Sequence, residues 1–324
     1  MSNTVKSLAT ISRSEFLLPN LGSLIMGLAW GANPPLGLID GVILVVLSFS
    51  IINLSSAIGA QANTLADYEL DLKDERKNEL TEALDSFGHG KVQAVLVIEF
   101  CLALVLVSIF MLIQQKAILL PLWIVGISLG VVYSAPPLRL KSRSWVAPIS
   151  LILVLAIFPV LFAFYTFTFE INTFFLISLG GLALTIYGVI IPTEIRDYFG
   201  DKAMNIITMT VRLGLSRATS LGIVLLSAGA VLTGTALFLE WSFSQKLWFR
   251  IFILAMPIAV VFVLAKFRRL CSLSKEYEAS SEQDRRVLEE KIVILSSENP
   301  KWIMLVTQTY SLLSIMLLIS KFVF

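Results

Sequence analysis

The sequence predicts an all-α, polytopic membrane protein, and three observations predict it. Hydrophobic residues fill 56% of the 324 positions, and the mean hydropathy is +0.84. Charged residues make up 15%, well below the roughly 25% of a soluble domain. Apolar runs of membrane length, near 20 residues, recur along the whole chain. No ~10-residue alternation of the kind that builds a membrane β-barrel interrupts them. A net charge of +2 is too small to argue for a nucleic-acid partner. Cys101, in an apolar run, and Cys271, in what reads as a polar loop, form neither a disulfide framework nor a metal spacing.

Nine spans account for the apolar runs, at 16–31, 37–60, 92–113, 118–134, 146–167, 173–193, 217–239, 247–266 and 302–320. Together they make one transmembrane domain over 1–324. The first span follows a polar N-terminus with no small-residue cleavage site behind it, so it reads as retained. The fourth is short for the ~30 Å of hydrocarbon it must cross. The stretch 267–301 reads as a polar cytosolic connector before the last span, with Ser272–Glu298 an amphipathic or solvated helical segment. Orientation follows from lysine and arginine. With the N-terminus inside, all but Lys116, Lys246, Arg250 and Lys321 of the 25 fall on the inner side. The chain is thus expected to be a multi-pass protein with a cytoplasmic N-terminus, in the plasma membrane if prokaryotic.

Two acidic stripes stand where apolar runs meet that inner side. Asn63, Asp67 and Asp71 recur every four residues, and at about 100° per helical residue they share one face. Asp197 and Asp201 repeat the spacing, with Asn205 four further on. Like charges at i and i+4 cost roughly 0.2–0.5 kcal/mol, and carboxylates at membrane depth cost more, so the stripes call for cations. The Asp74, Glu75, Arg76 and Lys77 run just beyond the first stripe reads as solvated. Mg²⁺ binds through one or two carboxylates and completes its octahedron with water and phosphate oxygens. Four carboxylates with Asn63 and Asn205 therefore suit on the order of two or three Mg²⁺ ions around a diphosphate. The stripes lie an even number of spans apart, which hints at parallel half-repeats in spans 1–4 and 5–8.

Cations stand ready on the same side. Tyr133–Ser134–Ala135–Pro136–Pro137–Leu138–Arg139–Leu140–Lys141 follows span four. The double proline predicts an extended segment that aims Arg139 and Lys141 the same way. There they would neutralise a departing diphosphate, one bidentately and one as a point charge. Arg143 reads as a topological charge. Tyr133 suits either the cavity or an interfacial belt, and Asn20, inside span one after Pro19, suits either a site or a helix contact. Glu194 and Arg196 bracket the second stripe. His89, in a Gly-rich turn, has no partner histidine or cysteine and receives no role. No glycine-rich phosphate loop, Ser/His/Asp set or zinc spacing is present.

These motifs resemble the UbiA superfamily of intramembrane prenyltransferases, whose first motif reads N-D-x-x-D-x-x-x-D and whose second reads D-x-x-x-D. Asn63, Asp67 and Asp71 match the first, with Thr64 at its second position, and Asp197 and Asp201 match the second. The Glu194–Ile195–Arg196–Asp197 lead-in is most similar to the menaquinone-type branch, and 133–141 is similar to a further family segment. The resemblance implies a nine-span bundle with a cytosol-facing cavity and Mg²⁺-dependent transfer of a prenyl chain from an isoprenyl diphosphate to a hydrophobic acceptor in membrane lipid. It implies Asn63, Asp67, Asp71, Asp197 and Asp201 as metal ligands. Arg139, Lys141 and Tyr133 join the aspartates in catalysis, and Asn20, Asn63, Arg139, Lys141, Glu194 and Arg196 bind substrate. A quinone precursor is the favoured acceptor, with glycerol-phosphate lipid, porphyrin and carotenoid open.

Two other readings stand beside this one. A UbiA-type terpene cyclase keeps the motifs and needs no acceptor. A cation-coupled transporter predicts acidic residues near the midplane and polar residues along several spans, whereas here the acidic stripes cluster at one face.

Overall fold

The computed structural model describes residues 3–32, 38–72 and 78–322, and among these every regular element is helical. A short α1 (Asn3–Ile11) leads into α2 (Leu17–Gly31) and the long α3 (Leu38–Asp71). Then come α4 (Asn78–Phe87), α5 (His89–Gln114) and α6 (Leu119–Ser134). A single long span follows in two pieces, α7 (Val146–Ile152) and α8 (Phe158–Tyr165), joined by a π-helical stretch at Leu153–Ile157. The second half holds α9 (Thr173–Ala203), the short α10 (Met209–Leu213), α11 (Leu215–Phe243), α12 (Ala255–Ala279), α13 (Glu282–Ser296) and α14 (Asn299–Phe322).

Seven of the helical segments are long and apolar enough to cross a membrane, and α6 is a shorter apolar helix. With the 15-residue α2, each of the nine expected spans has its helix, and the chain is an integral multi-pass membrane protein. Exposed Val97, Ile98, Leu102, Val105, Ile109 and Leu112 on α5 are what a lipid-facing surface requires.

The apolar pattern sets the spans, but the helices outrun it. Spans two and six stop at 60 and 193 by hydropathy, whereas α3 continues to Asp71 and α9 to Ala203. Once a helix is propagating, each further residue adds a hydrogen bond at little cost, so the acidic stripes remain helical beyond their apolar stretches. Pro192 sits inside α9 without ending it; a neighbouring helix makes such a proline tolerable in a membrane. Asn172 starts α9, its Oδ1 accepting from the Phe175 amide at 2.6 Å, a side-chain N-cap.

Packing forms two large apolar cores and a small one, the last where Ile11, Leu84, Phe87 and Val92 join α1, α4 and α5. One large core gathers α9, α11, α12 and α14, with Trp241, Tyr310, Phe175 and Phe267 fully buried. The other gathers α3, α5 and α6, with Phe110, Leu119 and Ile51. Helix α2 contributes to both. Close approach of α9 and α11 depends on missing side chains: a Cβ on Gly229 would lie 2.5 Å from the Gly181 carbonyl oxygen. Small residues of this kind let membrane helices meet at backbone distance. The Tyr310 hydroxyl then ties three helices, at 2.9 Å from Thr185 Oγ1 and 2.9 Å from Thr233 Oγ1.

The connector takes the amphipathic of the two helical forms its sequence allows, and the helix before it is longer than its apolar run. Helix α12 runs past its apolar stretch to Ala279, so Cys271 lies buried on a helix rather than in a loop. After a break at Ser280–Ser281, α13 buries Leu288, Ile292 and Leu295. It is an amphipathic helix packed on the bundle, not a solvated linker, because those apolar side chains recur at helical spacing. The Asp74, Glu75, Arg76 and Lys77 run lies outside the described residues. His89 begins α5 and stacks edge-on against Tyr68, ring centroids 4.4 Å apart.

Candidate active site

The ends of α3, α6 and α9 converge at one end of the bundle, and a cavity of about 490 Å³ opens between them. Its lining holds eleven candidate residues, Asn20, Asn63, Asp67, Asp71, Tyr133, Arg139, Lys141, Glu194, Arg196, Asp197 and Asp201, but not Asn205. Deeper, the lining turns to Ile51, Trp123, Ile127, Phe158 and Phe162. Polar mouth and apolar floor suit an amphiphile with a charged head.

Helical spacing explains the acidic wall. On α3, Asn63, Asp67 and Asp71 face the cavity, while Thr64, one position round the helix, is buried and donates to the Ala60 carbonyl at 3.0 Å. The departure at Thr64 therefore removes no donor from the cavity wall. Ser134 at the end of α6 donates to Asn63 Oδ1 and fixes that amide. Asn205 behaves otherwise. Helix α9 ends at Ala203, and Asn205 is exposed beyond it in the left-handed region at φ 55°. Asparagine tolerates that conformation at a helix C-terminus, so it caps the helix and leaves the stripe.

The basic segment also departs from expectation. Ala135 is extended before Pro136, as a residue before proline must be. The chain then turns rather than extends: Arg139 lies at φ 40°, and Leu140–Ser142 form a 3₁₀ turn. A left-handed arginine costs on the order of 1 kcal/mol or more. The turn wins through its own bonds, the Arg139 amide to the Ala135 carbonyl at 3.0 Å and Ser142 Oγ to the Arg139 carbonyl at 2.8 Å. The result still aims both cations one way. Arg139 Nη2 donates to Asp67 Oδ1 at 2.8 Å, and Lys141 Nζ donates to Asp67 Oδ2. Asp67 is 5% exposed, a depth at which a carboxylate needs such partners. Arg143 is exposed and its Nε donates to the Leu138 carbonyl at 2.9 Å, in keeping with a topological charge.

On α9, Arg196 Nε reaches Asp197 Oδ1 at 3.1 Å. Glu194 accepts from Thr210 Oγ1 at 2.7 Å and from the Tyr187 hydroxyl at 3.5 Å. Asn20 donates to Asn53 Oδ1 at 3.3 Å, so it serves a helix contact and the cavity wall together. Sequence reasoning missed Ser134, Tyr187 and Thr210, whose sole signal is proximity, and treated Arg13, another cavity-lining residue, as topological.

The residues present suit a hard divalent cation with a polyanion. Carboxylates and an amide line the rim, with neither thiolate nor imidazole, the donor set of Mg²⁺ rather than of zinc. Among the described residues no three acidic, histidine or cysteine side chains converge as a self-sufficient metal cluster. Mg²⁺ needs only one or two carboxylates when phosphate completes the shell. Arg139 Nε is buried without a hydrogen-bond partner, a donor matched to an oxyanion.

Comparison with known proteins follows the same lines. The sequence profile of the UbiA prenyltransferase family matches residues 17–280. A UbiA homolog from Archaeoglobus fulgidus bound to GPP and Mg²⁺ superposes with a TM-score of 0.60 at 16% identity, covering 93% of this chain and 99% of that one. A structure of digeranylgeranylglyceryl phosphate synthase gives 0.56 at 16% identity, covering 96% and 99%. An apo UbiA homolog from Aeropyrum pernix K1 gives 0.56 at 11% identity, covering 89% and 97%. No curated protein matches.

Proposed function

Since the chain belongs to the UbiA prenyltransferase family, we propose that it transfers a prenyl group from an isoprenyl diphosphate to an aromatic or lipid acceptor within the membrane, with Mg²⁺ as cofactor. A quinone precursor is the favoured acceptor, on the Glu194–Asp197 lead-in. The observation that carries this reading is the meeting of both acidic stripes and the Arg139–Lys141 turn around one cavity with an apolar floor. The lysine and arginine asymmetry supports a cytosolic position for that end.

Asp67, Asp71, Asp197 and Asp201, with Asn63, would hold the metal, which when bound neutralises diphosphate charge and orients the leaving group. Arg139 and Lys141 bind non-bridging oxygens and stabilise the charge that gathers there as the prenyl carbon–oxygen bond breaks. The electron pair leaves with diphosphate, and the allylic cation forms over the floor. Tyr133, which lines the same cavity, would stabilise it through its ring, and Trp123 and Phe158 would exclude water. The acceptor's nucleophilic atom bonds to the cation and then loses its proton. Glu194, Arg196 and Asn20 line the same cavity and are the candidates to contact substrate there.

The test is pyrophosphate release by purified protein given geranylgeranyl diphosphate, with hydroxybenzoate, dihydroxynaphthoate or a prenylglyceryl phosphate. Release that depends on one acceptor is expected. Release without any acceptor would favour the cyclase, and silence across the panel from folded protein would count against the transferase. Lys141→Ala should lower kcat by about 10²-fold with a smaller change in acceptor KM. An unchanged kcat would reduce the 139–141 turn to a topological element.

A further inference from the structure

Aromatic rings close the deep end of the main cavity, and one of them is pinned. On α6 the lining residues Trp123, Gly126, Ile127 and Gly130 recur at helical spacing toward Tyr133 and the mouth. Trp123 is 5% exposed, and its Nε1 donates to Ser55 Oγ on α3 at 2.8 Å. The Ser55 hydroxyl in turn donates to the Ile51 carbonyl at 2.7 Å. A buried indole usually finds such a partner, and here the bond fixes the ring across two helices of the cavity wall. Phe100 backs it, ring centroids 5.5 Å apart. Phe162, also in the lining, stacks at 5.7 Å on the fully buried Phe110. Trp123 and Phe162 both belong to the apolar core of α3, α5 and α6, so at this end the cavity abuts close-packed side chains.

The walls nearer the mouth are bare by comparison. Gly59 lines the cavity from α3, and a Cβ there would meet nothing within 4 Å. Gly126 and Gly130 leave α6 without side chains along the same passage. Asp67 and Ser55 lie just over three turns apart on α3, about 18 Å along its axis. An extended chain advances about 1.2 Å per main-chain bond, so an isoprene unit of four such bonds spans about 5 Å. About three or four units therefore fit between the diphosphate site and the indole.

We propose that Trp123, held by Ser55, is the stop that sets which prenyl chain length this protein accepts, with farnesyl to geranylgeranyl the preferred range. The proposal rests on the transferase reading and adds its chain-length specificity. Charge fixes the diphosphate at the mouth, so tails of different length differ in how far they reach toward the floor. Each unit that fits gains packing contacts along the wall. A longer tail must displace a hydrogen-bonded ring from a packed core, which is costly, or turn aside into lipid.

Calorimetric titration of purified full-length protein with geranyl, farnesyl, geranylgeranyl and octaprenyl diphosphate, each with Mg²⁺, tests this without turnover. Wild type is expected to prefer geranylgeranyl to octaprenyl diphosphate about ten- to hundredfold, the scale on which apolar pockets discriminate size. Trp123→Ala should erase that ratio by admitting the longer tail. Trp123→Phe, which keeps a ring and loses the Ser55 bond, should fall between the two. Gly59→Leu fills the passage about 6 Å nearer the mouth, and should disfavour geranylgeranyl relative to geranyl diphosphate by about tenfold or more. Ratios within one protein are compared, so a general loss of affinity does not imitate the effect. Thermal melts confirm folding, and Gly59→Leu, which adds a good helix former, carries the test if Trp123→Ala does not fold. Unchanged ratios in either folded variant overturn the proposal. So does a wild-type affinity that stays level or rises from farnesyl to octaprenyl diphosphate; the tail then leaves sideways and the transferase reading stands. Folded wild type that binds none of the four diphosphates overturns the transferase reading together with the stop.

Discussion

Asp67→Ala is expected to lower the rate of pyrophosphate release by about 10²–10³-fold, roughly 3–4 kcal/mol of transition-state stabilisation, with the bundle still folded. In the proposed mechanism Asp67 has two tasks. It is a metal ligand on α3, and it anchors Arg139 and Lys141 through the two oxygens of one buried carboxylate. Alanine removes both, so KM for the diphosphate should rise as kcat falls. Asp201→Ala, on α9, should cut kcat to a similar degree, since Asp201 lines the same cavity, while Asp67 keeps its bonds to Arg139 and Lys141. Steady-state kinetics on the two variants, with thermal melts to confirm folding, separates these effects. Near-wild-type turnover in either folded variant would remove the metal-site assignment.

Chelation has the second large effect. EDTA is expected to silence release, and Mg²⁺ to restore it. Mg²⁺ held by one or two carboxylates completes its shell with water and with the oxygens of a bound diphosphate. Metal and prenyl diphosphate should therefore bind interdependently, each tightening the other by the same factor. Titrating Mg²⁺ at low and saturating geranylgeranyl diphosphate measures that factor. Undiminished release in excess EDTA would end the metal-assisted mechanism, and a factor of one would place the metal outside the diphosphate site.

Membrane class, span number and the two stripes were all legible in the amino-acid sequence. Burial in lipid leaves a one-dimensional signature: a segment must stay apolar for the width of the hydrocarbon, and its polar residues must repeat with the helix. Asp67, Asp71, Asp197 and Asp201 break the apolar rule with the helical period, which is why they could be picked out. The double proline marked the end of α6, though its effect was a turn that carries Arg139 and Lys141 rather than an extended strand. Asn205 shared the spacing of the second stripe but not its helix, since periodicity does not say where a helix stops.

Only the tertiary structure decided who faces whom. That Arg139 and Lys141 share Asp67, that Ser134 holds Asn63 and that Thr210 holds Glu194 are contacts between residues far apart in the chain. Thr64 looked like a missing ligand in one dimension and proved to be a packed helix face. Glu99 gave no signal amid its apolar run. Its hydrogen-bond partner, Gln61 on α3, is 38 residues away in sequence and is brought alongside by packing. Local periodicity is set by backbone geometry and so can be read from the chain. The pairing of one helix with another is set by the shapes of whole surfaces, and no short stretch of sequence records it.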